Sequence, residues 1–295
     1  MERLYDTPPP ANATGYTKSK FVAEQICESA AVSLPGVEVA VLRIGQLTGD
    51  TTHGIWNMTE AWPRMWSTTA VLGCLPDLEG VGGDWLPVDC TAKAVIELSL
   101  GQEDLGNVVA RSLVLGEASS SDSIGRKTHS RGSDVSGTPS AKVFHVVASQ
   151  VTAPSWSQML KWISDYEESQ GKRAFKIVTP EVWLDQLEDY DRDDPAKALV
   201  GLWRKAFLDD SGRERGQDSA QGNWASNGNS PPPQKNIEHQ DGARIAAFDV
   251  FDTARAVQFS SAMGERRPVD KKLVIAIWTW LQEQLRDKNR ADVRA

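Results

Sequence analysis

Cysteine is scarce in this chain. Three occur in 295 residues, Cys27, Cys74 and Cys90, odd in number and far apart, which excludes a disulfide framework and any paired-thiol metal site and leaves reduced thiols in the interior. No metal site is expected. Long apolar runs are missing as well: no stretch of eighteen apolar residues occurs, and the opening MERLYDTPPPANAT has neither a basic region nor an apolar core. Neither a membrane span nor a secretory leader is therefore expected, and the expected setting is cytoplasmic. Positive charge is in deficit. The formal net charge is −8 with Lys and Arg scattered, which argues against a nucleic-acid partner. A hydrolase is disfavoured too, because no G-x-S-x-G elbow is present and only four histidines are available.

What remains is a chain with 40% apolar residues, enough for a substantial core, distributed unevenly. Residues 15–110 and 143–208 carry periodic apolar patterns, whereas about 117–142 and 209–244 are rich in Ser, Gly, Asn and Pro and poor in aliphatics. Such segments cannot repay their ordering entropy, so both read as disordered inserts. A helix is expected from Tyr16 to Ala31, followed by VEVAVLRIG (37–45), short and nearly all apolar, the pattern of a strand buried on both faces of a parallel sheet. A tryptophan-rich helical region follows Trp56, then a short extended piece at 84–88 and a helix over 89–100 with Asp89 as its N-cap. KVFHVVAS (142–149) is a second buried strand, SWSQMLKWISDYEES a helix, and 248–264 and 269–287 return to helical spacing. Helices and buried strands together mean α/β.

The chemistry concentrates in GYTKSKFVAEQI (15–26). On a helix, Tyr16 and Lys20 share one face one turn apart, so the ammonium can favour the phenolate and make the phenol a usable proton donor near neutral pH. A Tyr-x-x-x-Lys pair suits a donor facing a carbonyl oxygen that receives hydride. A solvated helix face accounts for the same spacing.

The blocks GYTKSKFVAEQI (15–26), VLRIGQLTGD (41–50), DWLPVDCTAKAVIEL (84–98), VFHVVAS (143–149), SWSQMLKWI (155–163), FKIVTPEVWLDQL (175–187), DPAKALVGLW (194–203) and FDTARAV (251–257) change this balance. In that order they resemble the extended short-chain dehydrogenase/reductase family, in particular the thioester reductase domains of non-ribosomal-peptide-synthetase-like enzymes and carboxylic acid reductases. The resemblance implies a Rossmann-like parallel sheet plus a mostly helical substrate-binding region. It implies NADPH as cofactor and reductive release of an acyl or peptidyl thioester from a phosphopantetheine carrier protein as aldehyde or alcohol. It also implies Tyr16 as general acid and Lys20 as its partner on the nicotinamide ribose. Ile44, Gly45, Gln46 and Leu47 match the segment beside the nicotinamide, and His53 and Trp56 fall where family members line the substrate entrance. The tryptophans of 54–67 fit an acyl-binding wall, and core packing explains them as well.

The departures set further expectations. No G-x-G-x-x-G occurs; the nearest glycine cluster, EGVGGDW (79–85), neither follows a strand nor opens a helix. The family's catalytic Ser or Thr has no counterpart, since only fifteen residues precede Tyr16. The expectation is a reductase truncated at its N-terminus, with residues 1–55 a remnant of the dinucleotide-binding domain, 56–295 the substrate-binding region, and strand 143–149 returning to the sheet. Such a chain is expected to be inactive alone and to need the missing half in trans. The alternatives are a non-catalytic carrier-protein or acyl-binding module, or a gene product without independent function. GERRPVDKK (264–272) is the compact basic candidate for docking an acidic carrier domain.

Overall fold

Thr14 sets where the first helix begins. Its backbone is extended (φ −63°, ψ 155°), and its hydroxyl accepts the Thr17 N–H at 3.2 Å, so α1 runs over Gly15–Ser33. The structure, a computed structural model, describes residues 2–5, 7–11, 13–100, 140–149, 151–208 and 251–292. Most of the two polar inserts, about 117–142 and 209–244, lies outside the described residues; residues 140–142, at the end of the first, already lead into a strand.

After α1 come β1 (Ala40–Ile44), β2 (Leu47–Thr48), α2 (Ala61–Ser67), α3 (Thr69–Leu72), β3 (Cys74–Pro76) and β4 (Leu86–Pro87). Helix α4 spans 88–100, and β5 (Lys142–Val146), α5 (Trp156–Ser169), β6 (Lys176–Val178) and α6 (Pro180–Asp189) follow. A 3-10 turn at Pro195–Leu199 leads into α7 (Val200–Phe207), and α8 (Ala254–Phe259), α9 (Ser261–Gly264) and α10 (Lys271–Asp292) complete the described chain. Strand pairing is parallel throughout the named strands: β1 with β5, β2 with β4, and β3 with β6. This is the mixed α/β, part Rossmann-like arrangement expected, with more strands than periodicity indicates. The added ones are two or three residues long, too short to print an alternation.

In the sheet, Ala40 faces Lys142 and Ile44 faces Val146. β5 is buried as expected, but β1 is not: Ala40 and Ile44 are exposed and the residues between are half-buried. The physical reason is the neighbour count. Among the described residues only β5 pairs with β1, so its second edge has no strand against it. The apolar side chains Val22 (54% exposed) and Ile26 (63%) of α1 also face solvent.

Two apolar cores result. The larger gathers tryptophans from the loop before α2, from α2 itself and from α5, α6, α7 and α10, with Trp56 and Trp85 rings 5.2 Å apart and Trp62 and Trp156 5.4 Å apart. Inside it, buried Glu167 accepts the Trp278 indole N–H at 2.9 Å and ties α5 to α10. The smaller core joins Leu86, Leu98, Phe144, Val146 and Met263, and so packs α4, α8 and α9 on β5. The expected single helix at 248–264 is interrupted at Ser260, whose extended backbone caps α9. Among the described residues no helix is long and apolar enough to cross a membrane.

Glu97 of α4 explains that interruption. Its buried carboxylate accepts Ser260 Oγ at 2.6 Å, Ser261 Oγ at 2.7 Å and the Ala262 N–H at 3.0 Å. Burial disfavours its charge, yet these donors outweigh burial and hold the carboxyl below its ordinary range. Replacing Glu97 by Ala strands three donors, and urea unfolding at neutral pH is expected to show a loss of about 3 kcal/mol. Because the folded pKa lies below the ordinary 4.5, this contribution is present above that value and disappears as pH falls through the folded pKa. Glu97→Gln removes that slope.

Candidate functional site

The seat of α1 places the opening motif. Glu24 and Arg43 form a bidentate pair, Nε–Oε1 2.8 Å and Nη2–Oε2 2.6 Å, while Glu28, one turn later, accepts the Ala141 N–H at 2.7 Å. The helix therefore runs antiparallel to β1 and β5. Lys20 and Tyr16, four and eight residues before Glu24, rise about 6 and 12 Å past it, toward the carboxyl end of β1. In open α/β sheets that end is where ligands bind. Ile44, Gly45, Gln46 and Leu47 lead out of β1 on the same side.

Within the first turn, the Lys20 ammonium lies over the Tyr16 ring, 5.1 Å from its centroid. Tyr16 is 42% exposed, so the pair faces solvent with its cation held on the π-face. The two side chains are in contact on one helix face, as their spacing requires.

The segment after β1 is fixed from several directions. The Gly45 N–H donates to the Val146 carbonyl at 3.0 Å, and a Cβ on Gly45 would lie 3.1 Å from the Val147 methyl. Packing against its own sheet neighbour thus accounts for this glycine. The Gln46 amide donates to the Leu47 carbonyl at 2.8 Å and approaches Glu60 Oε2 at 3.4 Å, and Glu60 also accepts the Trp56 indole N–H at 3.1 Å. Trp56 is buried in the larger core against Trp66 and Trp85, so it forms no open wall.

Asp50 builds the loop that carries His53. Its carboxylate accepts the N–H groups of Thr52 (3.0 Å), His53 (2.7 Å) and Ile55 (2.8 Å). Burial opposes its charge, but those bonds and nearby His53 prevail and hold the carboxyl below its ordinary range. The His53 side chain is 70% exposed, its Nδ1 3.6 Å from Asp50 Oδ1. Asp89 clamps the same loop by accepting the Thr51 N–H at 3.2 and 3.3 Å and the Thr51 hydroxyl at 2.5 Å. The expected N-cap role of Asp89 is thereby overturned: α4 already begins at residue 88 and the carboxylate is engaged elsewhere. Asp50, Glu60 and the Glu24–Arg43 pair were not singled out from sequence. Asp50 had a local signal, an Asp four residues before Gly54; Glu24 and Arg43 lie nineteen residues apart and had none.

The site can be tested against a dinucleotide. Lys20 and Tyr16 present a cation and a phenol on an exposed helix face at the strand terminus, groups able to hydrogen-bond a ribose. The phosphate end finds no equivalent among the described residues. The strand-to-helix turn between β2 and α2 holds two glycines, but a Cβ on Gly49 would meet the Gly54 carbonyl oxygen at 2.6 Å, and one on Gly54 would meet the Ile277 backbone nitrogen at 2.4 Å. Both glycines serve close packing, and the anionic Glu60 stands at the N-cap of α2, where a phosphate would sit.

Residues 4–95 match the NAD-binding family model described as male sterility protein. Its relatives are reductases and synthases. Over 86 residues it is 43% identical to an adenylate-forming reductase of Stachybotrys bisbyi, covering 29% of this chain and 8% of that protein. Over 182 residues it is 30% identical to a carboxylic acid reductase of Neurospora crassa, covering 60% and 14%. A non-reducing polyketide synthase of Emericella nidulans is 35% identical over 91 residues, covering 30% and 4%. The chain thus spans at most 14% of the length of these relatives. The family expected from the motif blocks is the one found, and the similarity to the carboxylic acid reductase extends beyond the 92 residues of the family match.

Gly54 has φ +70° and no room for a Cβ against α10. Gly54→Ala is expected to cost about 3 kcal/mol in urea unfolding. The loop is expected to lift off α10, which increased hydrogen exchange in 50–55 reports; unchanged exchange there refutes this seat.

Proposed function

We propose that this chain carries the proton-donating part of a reductase site acting on a thioester held by a phosphopantetheine carrier protein, with NADPH as the reductant. The observation that carries the reading is the Lys20 ammonium lying on the Tyr16 ring, exposed at the start of α1 and beyond the carboxyl end of β1. A nicotinamide coenzyme, when bound, supplies hydride to the thioester carbonyl carbon. Tyr16 gives its phenolic proton to the carbonyl oxygen as that carbon is reduced, and collapse of the resulting hemithioacetal expels the carrier thiol and leaves the aldehyde. Lys20 keeps positive charge beside the phenol and offers an N–H to the ribose. Ile44, Gly45, Gln46 and Leu47 form the floor beside the nicotinamide. His53, on a loop tied at Asp50, Asp89 and Gly54, lines the way in for the acyl chain, with Trp56 buttressing that loop from within the core.

Cofactor affinity is the weak point of the site. With no glycine-rich turn for the pyrophosphate, the isolated chain is expected to bind NADPH with a dissociation constant above about 100 μM, and a low-micromolar value refutes that limit. The proton role is testable in a chimaera in which residues 15–100 replace the matching segment of the Neurospora crassa carboxylic acid reductase. NADPH oxidation on a carrier-bound thioester is expected to persist and to fall by at least about 100-fold in Tyr16→Phe. Equal turnover in the two chimaeras sinks the assignment.

A second reading, a non-catalytic module that docks a carrier domain, is favoured by one observation. Arg267, Lys271 and Lys272 are exposed where α10 begins, and α10 is the helix against which the His53 loop packs. Salt-sensitive carrier binding that survives Tyr16→Phe and is lost on reversing these charges is its signature.

A further inference from the structure

Beside the Glu24–Arg43 pair that seats α1 lies a polar cluster, between the amino-terminal arm and the sheet, to which no role has been assigned. His145, the penultimate residue of β5, is buried. Its Nδ1 lies 2.8 Å from the Asp252 backbone carbonyl, and its Nε2 lies 3.2 Å from Nη1 of Arg43. A carbonyl only accepts and a guanidinium only donates. The ring is therefore neutral, with its proton on Nδ1 and its Nε2 lone pair facing Arg43. A second proton cannot enter while Arg43 stays, because Nε2–H would point at a cation.

The same ring sits where remote segments are tied together. Glu2 of the arm accepts the His145 N–H at 2.9 Å and, from the return segment at α8, the N–H groups of Arg255 at 2.6 Å and Ala256 at 3.1 Å. Tyr5 covers the Arg43 guanidinium, 4.2 Å from ring centroid to Cζ, and its carbonyl accepts the Gln25 amide from α1. Phe251 meets the imidazole edge to face at 5.5 Å. Arm, α1, β1, β5 and the α8 segment thus meet around His145, whose ring itself touches Arg43, the Asp252 carbonyl and Phe251 and is bound in its neutral form.

We propose that His145 is an acid-sensitive latch: a proton on Nε2 breaks its bond to Arg43 and releases the arm at Glu2–Tyr5 and the segment Phe251–Phe259 from the sheet as one unit. The inference does not depend on the reductase reading. The charged or titratable groups around the ring are Glu2 and Tyr5 from the arm, Glu24 from α1 and Arg43 from β1, while Asp252 and Arg255 of the α8 segment contribute backbone groups there. Glu24 is engaged bidentately by Arg43 and Glu2 is shared among three backbone N–H groups, so neither is placed to pair with an imidazolium. Burial is the largest influence and lowers the His145 pKa; the Asp252 carbonyl opposes it, and Arg43 lowers the pKa further, for a net value below the ordinary 6.5. The unfolded chain then takes up the proton first. The latch contributes fully above about 6.5 and is lost as pH falls from there through the folded pKa.

Two measurements on the intact chain test this. Imidazole NMR follows His145 directly, and hydrogen exchange, corrected for the intrinsic chemical rate, follows the two released segments between about pH 7.5 and about pH 5. Exchange in Glu2–Tyr5 and Phe251–Phe259 is expected to rise together by at least about tenfold, with the midpoint of the His145 titration, while α5 and α10 keep their protection. His145→Asn, which can still donate to the Asp252 carbonyl but does not titrate, is expected to abolish the pH dependence. Three results overturn the latch: the segments release at different pH, His145 titrates while both stay protected, or the Asn variant responds to acid as the parent does. If that variant does not fold, the paired measurements on the parent chain still decide.

Discussion

The bidentate pair between Glu24 and Arg43 is the interaction on which the site rests. It joins the middle of α1 to the penultimate residue of β1, and burial makes it matter: both side chains are largely withdrawn from water. Burial alone opposes the guanidinium charge, but the bonds to Glu24 outweigh it and hold the Arg43 pKa above its ordinary value. A planar fork against a carboxylate fixes orientation as well as distance. Once α1 is pinned there with its axis antiparallel to β1, the first turn can only project beyond the strand terminus. The exposure of Tyr16 and Lys20 at that end follows from a contact that neither residue makes.

A similar logic governs the loop after β2. Asp50, Asp89 and the close approach of Gly54 to α10 come from three parts of the chain and leave the loop few ways to move. His53 is exposed on a rigid support, the combination that binding surfaces commonly use. The larger tryptophan core lies behind it and reaches this surface through Trp56 and Glu60. Side chains that look like a ligand wall in the sequence are the masonry behind the loop.

The open edge of β1 and the apolar residues Val22 and Ile26 on α1 are the complement of that picture. The sheet is narrow for the helices it supports, and one edge of its β1–β5 pair faces no strand among the described residues. The NAD-binding family match and the reductase relatives explain why the motifs stand in this order. They cover a small share of those much longer proteins, which is why the reading of the site here depends on what Tyr16, Lys20 and their neighbours can do chemically.

The division between sequence and structure can be drawn residue by residue. Local patterns sufficed for α1, β5, α5 and α10, because sustained apolar periodicity acts over a few residues. The Tyr16–Lys20 contact was legible for the same reason, since one helical turn is a local distance. Asp89 misled, because a carboxylate near a helix start can cap that helix or reach Thr51, thirty-eight residues away, and only the packed loop decides. The strands β3 and β6, the Glu97 cap, the Glu24–Arg43 seat and the fixed tautomer of His145 all join residues remote in sequence. The sequence by itself therefore determined the α/β class, the family motifs and the phenol–ammonium pair. Tertiary structure alone decided where that pair points and which carboxylates are tied down, because those outcomes depend on burial and on partners that meet only when the chain folds.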